Sequence, residues 1–222
     1  MTNASDFEAW QRDVRTSYDR VAEAYAEAIY DELRHKPLDR ELLDQLAAAV
    51  GGLGPICDLG CGPGQVARYL RDHGAEAFGL DLSEGMLAQA RRLNPDLSFR
   101  QGDMLALSDA DESWGGVAAF YSLIHIPRER LPQALAELYR VLRPGGVLLA
   151  AVHRGHETVH SESFLGHVVS IDFLFFEPEE LERVVRSAGF VVDQVRLREP
   201  YAPEVEHQSR RIYLLAHKPA RL

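Results

Sequence analysis

The chain has 222 residues, of which 46% are hydrophobic, and a formal net charge of −10. That length and apolar content are enough for one sizeable core, while the acidic balance argues against nucleic acid, whose binders neutralise phosphates with a basic face. Two cysteines cannot build a disulfide framework, and the chain reads as cytoplasmic. The opening "MTNASDFEAW" lacks a basic stretch followed by an apolar one, so no signal peptide is expected. No apolar run approaches the roughly 20 residues that span a bilayer, so no membrane partner is expected either.

The first element, from about Ser5 to Tyr30, reads as a helix. Phe7, Trp10, Val14, Tyr18, Val21, Tyr25 and Ile29 recur at steps of three and four, on one face. A second helix runs from about Asp39 to Val50 and stops at Gly51-Gly52. Short apolar runs then alternate with helical segments. Pro55–Leu59 reads as a strand and Gln65–Asp72 as a helix. Ala77–Leu80 is a strand, and Ser83 is placed to cap the helix that ends near Asn94-Pro95. Leu97–Arg100 and Trp114–Ser122 are strands. A helix carrying Leu131, Leu135, Leu138 and Leu142 on one face stops at "RPGG". Val147–Val152 is a strand, residues 154–176 read as irregular, and Pro178 opens a helix that stops at Gly189. Phe190–Arg196 and Arg210–Ala216 end the chain as strands. Strands alternating with helices imply an α/β fold, a mainly parallel sheet with helices on both faces. The two helices before Gly52 are an appendage expected to cap the carboxyl edge of the sheet.

Ligands of such sheets bind at the carboxyl ends of the strands, and the first strand–turn–helix carries the loop. Here that loop is "ICDLGCGPGQVARYL", Ile56 to Leu70. Cys57 and Cys61 stand four apart and lack further metal ligands, so Cys57 reads as a small core residue and no metal is expected. A dinucleotide fingerprint places its third glycine five residues after the first, at position 65, which is Gln65; the glycines are Gly60, Gly62 and Gly64. A cofactor with adenosine but no phosphates remains.

"DLGCGPG" resembles motif I of the class I S-adenosylmethionine-dependent methyltransferases, and the resemblance extends over residues 55–150. Asp81 in "FGLDLS" ends the second strand, where an acid accepts bonds from ribose hydroxyls. "QGDML", with Asp103 and Met104, ends the third; "YSLIHIP" follows the fourth; "LRPGGVLL" leads into the fifth. The resemblance implies a Rossmann-like, seven-stranded sheet whose last strand is antiparallel and inserted between strands five and six. It implies S-adenosylmethionine as cofactor, Asp103 on the adenine amino group and Met104 on the ring. Asp58 supports the loop or the methionine amino group. Gly60, Gly62, Leu82 and Met86 join the cofactor site, and Tyr121 and Ser122 line the cleft near the sulfonium. "YDRVAEAYA" is similar to the entry helix of small-molecule methyltransferases, whose tyrosines, here Tyr18 and Tyr25, close over the methionine end; ordinary packing of a helix face is the alternative. "HKPLDR" sits at the same mouth, or Lys36 is a solvated cation.

Methyl transfer requires alignment of donor and acceptor and a free lone pair on the acceptor, which favours a histidine base. His125, after the fourth strand, and His153, ending the fifth, are the candidates for base or acceptor-orienting residue. A helix cap or a backbone hydrogen bond is the alternative for His125. His153, His156 and His160 lack a helical frame for a metal. The phenylalanines of 154–176 (Phe164, Phe173, Phe175 and Phe176) read as a wall of the acceptor site, or as an edge strand, since Ile171, Phe173 and Phe175 alternate. One domain over 1–222 is expected: a helical cap over 1–50, a core over 51–222, and an acceptor-site insertion over 154–176. The expected protein is a monomer or homodimer that methylates an oxygen, nitrogen or sulfur atom of a small molecule. The alternatives are a nicotinamide-dependent oxidoreductase and a non-catalytic S-adenosylmethionine-binding regulator.

Overall fold

The computed structural model describes residues 4–221; Met1–Asn3 and Leu222, the ends of the expected domain, lie outside the described residues. Helix α1 (Ala4–Ile29) turns through a 3-10 segment, Glu32–His35, into α2 (Pro37–Val50). Of the face that the spacing predicts, Val14 and Val21 are buried and Phe7, Trp10, Tyr18 and Tyr25 partly so, and Ala22 and Ala26 are buried beside them. Pro37 opens α2 where no helical amide bond is lost, and Gly51 closes it in the left-handed conformation, φ 53°.

Strands β1 (Ile56–Leu59), β2 (Ala77–Asp81), β3 (Ser98–Gln101), β4 (Trp114–Phe120) and β5 (Leu142–Arg154) pair in parallel in the order β3-β2-β1-β4-β5. Helix α3 (Gln65–Asp72) joins β1 to β2, α4 (Glu84–Leu93) joins β2 to β3, and α5 (Leu131–Val141) joins β4 to β5. The Ser83 hydroxyl accepts from the Met86 amide at 3.1 Å, the expected cap of α4.

Among the described residues the sheet has nine strands where seven were expected. The two additional strands are β6 (Thr158–Phe164) and β7 (His167–Phe176), an antiparallel hairpin in place of the irregular stretch predicted over 154–176; β7 is the strand that the alternation of Ile171, Phe173 and Phe175 offered as the alternative. It joins the sheet only at the end of β5, through His153↔Phe175 and Arg154↔Phe176. The alternation along β7 explains it: Val169 and Ile171 are buried against Val21 and Ala22 of α1, while Ser170 and Asp172 face the other way. After α6 (Pro178–Ser187), the last strand, β9 (Arg211–His217), lies between β5 and β8 (Val191–Arg198), antiparallel to both. That is the insertion the resemblance implies.

The two faces of the sheet carry separate cores. Leu135 and Leu138 of α5 and Leu181 and Val185 of α6 pack with Val117 and Leu148. On the other face, Leu42, Leu43 and Leu46 of α2 and Leu70 of α3 pack with Ile56 and Leu149. So α2 is a face helix and not part of an edge cap. Each of its buried leucines contributes about 1.5–3 kcal/mol. Close approach is possible because β4 is glycine there: a Cβ on Gly116 would lie 2.7 Å from Val50 Cγ2. Helix α1 runs over the carboxyl ends of the strands. Among the described residues, no helix is long and apolar enough to cross a membrane.

Candidate functional site

Strand β1 delivers Asp58 and then a turn, Gly60 to Gly64, whose three glycines all have positive φ: 69°, 51° and 85°. The turn presses on the segment after β4, since a Cβ on Gly60 would stand 2.4 Å from Ser122 Cβ. Asp58 Oδ2 accepts from the Ala67 amide in the first turn of α3 at 3.0 Å. Burial nonetheless lifts this carboxyl to about 7.

Asp81 ends β2 and ties two loops together. Its oxygens accept from the Gly62 and Ser83 amides, both at 2.8 Å. Burial raises it to about 6 against the pull of these bonds. Asp103, after β3, accepts from the Leu105 amide at 2.9 Å and from Gln11 Nε2 at 2.6 Å. Beyond β4, Tyr121 adopts a left-handed φ of 54°, and the buried Ser122 hydroxyl has no hydrogen-bond partner. His125 closes a single 3-10 turn, Leu123–His125.

Helix α1 roofs these strand ends. Its Tyr18 hydroxyl lies 2.7 Å from His125 Nε2. Asp19 Oδ1 accepts from the Ser83 hydroxyl at 2.6 Å and the Gly85 amide at 2.9 Å, and Ser17 accepts from the Ser170 amide at 2.9 Å. Beneath the roof is a cavity whose free space, counting the part open to solvent, is about 770 Å³. Tyr18, Tyr25, Gly60, Gly62, Asp81, Leu82, Met86, Asp103, Met104, Tyr121, Ser122 and His125 all line it. Asp58 is not in the lining; it stands behind the turn.

His153 is also outside the cavity. It lies beyond Tyr121, ring centroids 5.3 Å apart, stacked on Phe175 with Nδ1 2.7 Å from the Ser209 hydroxyl. Burial, with Arg211 and His207 nearby, pushes it down to about 3. The hairpin of 154–176 contributes no lining residue either. Its Phe164 and Phe173 pack behind Tyr25 and His125, at 6.0 and 5.2 Å between centroids. Among the described residues no group of side chains forms a metal site; His160 pairs with Asp172 and His156 with Glu177. Both cysteines are buried and free, with thiols pushed up by burial.

Lys36 is not a solvated cation. It is 3% exposed and paired with Glu32 at 2.6 Å, in a network where Arg198 grips Glu206 at 2.5 and 3.0 Å and Tyr213 donates to Asp39 at 2.6 Å. The sequence reading also missed Gln11 and Asp19. Gln11 carried a signal, since it stands two turns before Tyr18 on the same helical face; Asp19 carried none.

A carboxyl-edge crevice with a glycine turn and acids ending two successive strands defines a Rossmann-like, adenosine-cofactor protein. A family model described as "Methyltransferase domain" matches residues 56–146. The malonyl-[acyl-carrier protein] O-methyltransferase of Enterobacter lignolyticus is 39% identical over 134 residues, 58% of this chain and 51% of that protein. The ubiquinone biosynthesis O-methyltransferase of Alkalilimnicola ehrlichii is 29% identical over 175 residues, 69% of this chain and 68% of that protein. The chain spans about half the length of the first of these relatives. Among solved structures, a DhpI–S-adenosylhomocysteine complex superposes with a TM-score of 0.73 at 23% identity, covering 96% of this chain and 98% of that one. The 1,6-didemethyltoxoflavin-N1-methyltransferase of Burkholderia thailandensis superposes with 0.72 at 18%, covering 99% and 92%. Residues 56–146 thus resemble a methyltransferase domain, and the relatives the chain is similar to are named methyltransferases.

The cavity fits the cofactor of that family. Two acids face it for hydroxyl and amino donors, Leu82, Met86 and Met104 offer apolar faces, and the orphaned Ser122 hydroxyl awaits a partner. A pyrophosphate fits worse. Of the amides in the first turn of α3, that of Ala67 already serves the Asp58 carboxylate.

Proposed function

We propose that the chain transfers the methyl group of S-adenosylmethionine to an oxygen, nitrogen or sulfur atom of a small molecule. The observation that carries this reading is the placement of Asp81 and Asp103 on one roofed cavity beside the glycine turn and the unpartnered Ser122 hydroxyl. When bound, the cofactor supplies an electrophilic methyl on a sulfonium that leaves readily. The chain's own residues hold and align. Asp81 takes the ribose hydroxyls, Asp103 the adenine amino group, and Leu82, Met86 and Met104 sandwich the ring. Gly60 and Gly62 let the backbone approach, with Asp58 bracing the turn from behind. Tyr18, Tyr25, Tyr121 and Ser122 surround the methionine end. Alignment of this kind lowers a barrier by roughly 7–11 kcal/mol.

His125 and His153 border the acceptor's approach on either side of Tyr121. The whole chain works as one domain, and the hairpin of 154–176 steadies α1 and His125 at the acceptor side. The acidic balance supports a small-molecule acceptor over nucleic acid. Buried, unreactive thiols are consistent with a cytoplasmic protein, acting as a monomer or homodimer. The test is release of S-adenosylhomocysteine on incubation with S-adenosylmethionine and a panel of hydroxyl, amine and thiol metabolites. Release with at least one acceptor is expected. Cofactor binding without turnover of any would favour the non-catalytic regulator.

A further inference from the structure

The hydrogen bonds of His125 run in one direction. Its Nδ1 lies 3.0 Å from the backbone carbonyl oxygen of Asp172 on β7. A carbonyl only accepts, so the proton sits on Nδ1. Burial holds the ring neutral, pushing it down to about 4 against the pull of Asp172. Its Nε2 therefore carries a lone pair, and the Tyr18 hydroxyl 2.7 Å away must donate. Burial, with Tyr25 and Asp81 nearby, keeps that phenol protonated. Its single proton is committed to His125, and only oxygen lone pairs remain for the cavity. The rings are held in place: Tyr18 meets Tyr25 edge-on at 5.9 Å, and His125 is wedged between Tyr18 and Phe173, 5.2 Å from each. The Asp172 carboxylate is engaged by His160, and only the carbonyl of that residue serves His125.

We propose that Tyr18 recognises the reacting end of the methyl donor. The oriented relay from the Asp172 carbonyl through His125 makes its oxygen an obligate acceptor. That end of the cavity therefore selects a cationic or hydrogen-donating group and turns away an anion. The proposal rests on the methyl-donor reading above and adds a specificity residue to it. Asp81 and Asp103 line the cavity with Arg15, while Lys36 and Arg211 lie over the Tyr121 ring, 5.7 and 5.3 Å from its centroid. In this arrangement His125 is a positioning residue that acts through Tyr18, and its basic nitrogen is not free to take a proton from the acceptor.

Two probes separate the claims: S-adenosylhomocysteine, a neutral sulfide, and sinefungin, which carries an amine where the donor carries its methyl. Calorimetry of the wild-type protein should show both binding. A protein that binds neither removes the methyl-donor reading itself, and the role of Tyr18 with it. Tyr18→Phe should weaken sinefungin by at least about tenfold, the scale of one hydrogen bond to a charged group. It should leave S-adenosylhomocysteine within about twofold, which also shows that the variant is folded. Loss of both ligands alike, or of neither, overturns the proposal. Nitrogen-15 NMR of wild-type His125 tests the relay without any variant. A neutral ring protonated on Nδ1, with no titration between about pH 5.5 and 8, is expected; a proton on Nε2, or titration in that window, overturns it.

Discussion

Replacing Gly60 by alanine tests the cradle at its tightest point. The new Cβ would stand 2.4 Å from Ser122 Cβ, where carbon atoms keep about 3.5–4.0 Å. Something must move by about 1 Å or more, and the candidates are the glycine turn and the segment after β4, both of which line the cavity. Two costs combine. A left-handed φ of 69° costs a residue with a side chain roughly 1–2 kcal/mol, and overpacking adds about 1–3 kcal/mol. Gly52→Ala is the control: φ is 83° and nothing lies within 4 Å of its Cβ, so it carries the backbone cost alone. Urea denaturation of both variants should show Gly60→Ala the less stable by about 1–3 kcal/mol, or roughly 2–12 °C in Tm for a chain of this size. Calorimetry should show S-adenosylhomocysteine binding lost in Gly60→Ala and kept in Gly52→Ala. Equal destabilisation with binding intact in both would refute the close packing of the turn on Ser122.

Asp81→Asn keeps the shape of the side chain but loses the charge and sets an amide donor against the Gly62 or Ser83 amide; cofactor affinity should fall by about ten- to a hundredfold, as charge-assisted bonds contribute about 1.5–3 kcal/mol each, and unchanged affinity in calorimetry would remove Asp81 from the site. The same residue sets a pH dependence. Its carboxyl is raised to about 6 in the free protein, and hydroxyl donors bind the charged form, so S-adenosylhomocysteine affinity should be flat above about pH 6 and weaken as pH falls below it. Flat affinity from pH 7.5 to 5 contradicts this, and Asp81→Asn should abolish the contribution. Overall stability is a poorer readout. The raised carboxyls of Asp58 and Asp81 make folding more favourable as pH falls through 7 and 6, whereas His125 and His153, held neutral below their ordinary value, make it less favourable as pH falls below about 6.5.

The parts of the site legible in the sequence are those set by local chain geometry. The glycine turn, the acids at the ends of β2 and β3, and the Ser83 cap each follow from a strand, a turn and a helix start in succession. What was illegible depends on pairing across the chain. Gln11 meets Asp103, and Asp19 meets Ser83 and Gly85, because α1 lies over the strand ends. No local pattern encodes that crossing. The face position of α2 needed the glycines of β4, far along the chain. Glu32 and Lys36 show the spacing of a surface helical pair, yet Arg198, Glu206 and Arg211 arrive from the last two strands and the turn between them to bury the lysine. The alternation of Ile171, Phe173 and Phe175 already offered a strand, whereas the polar residues before it hid its hairpin partner β6, and the burial of Val169 and Ile171 follows from their contact with α1.

Calorimetric titration of the wild-type chain with S-adenosylmethionine and, separately, with NAD tests the central claim most directly. The account predicts one S-adenosylmethionine bound per chain and no binding of NAD. Binding of NAD alone would contradict it.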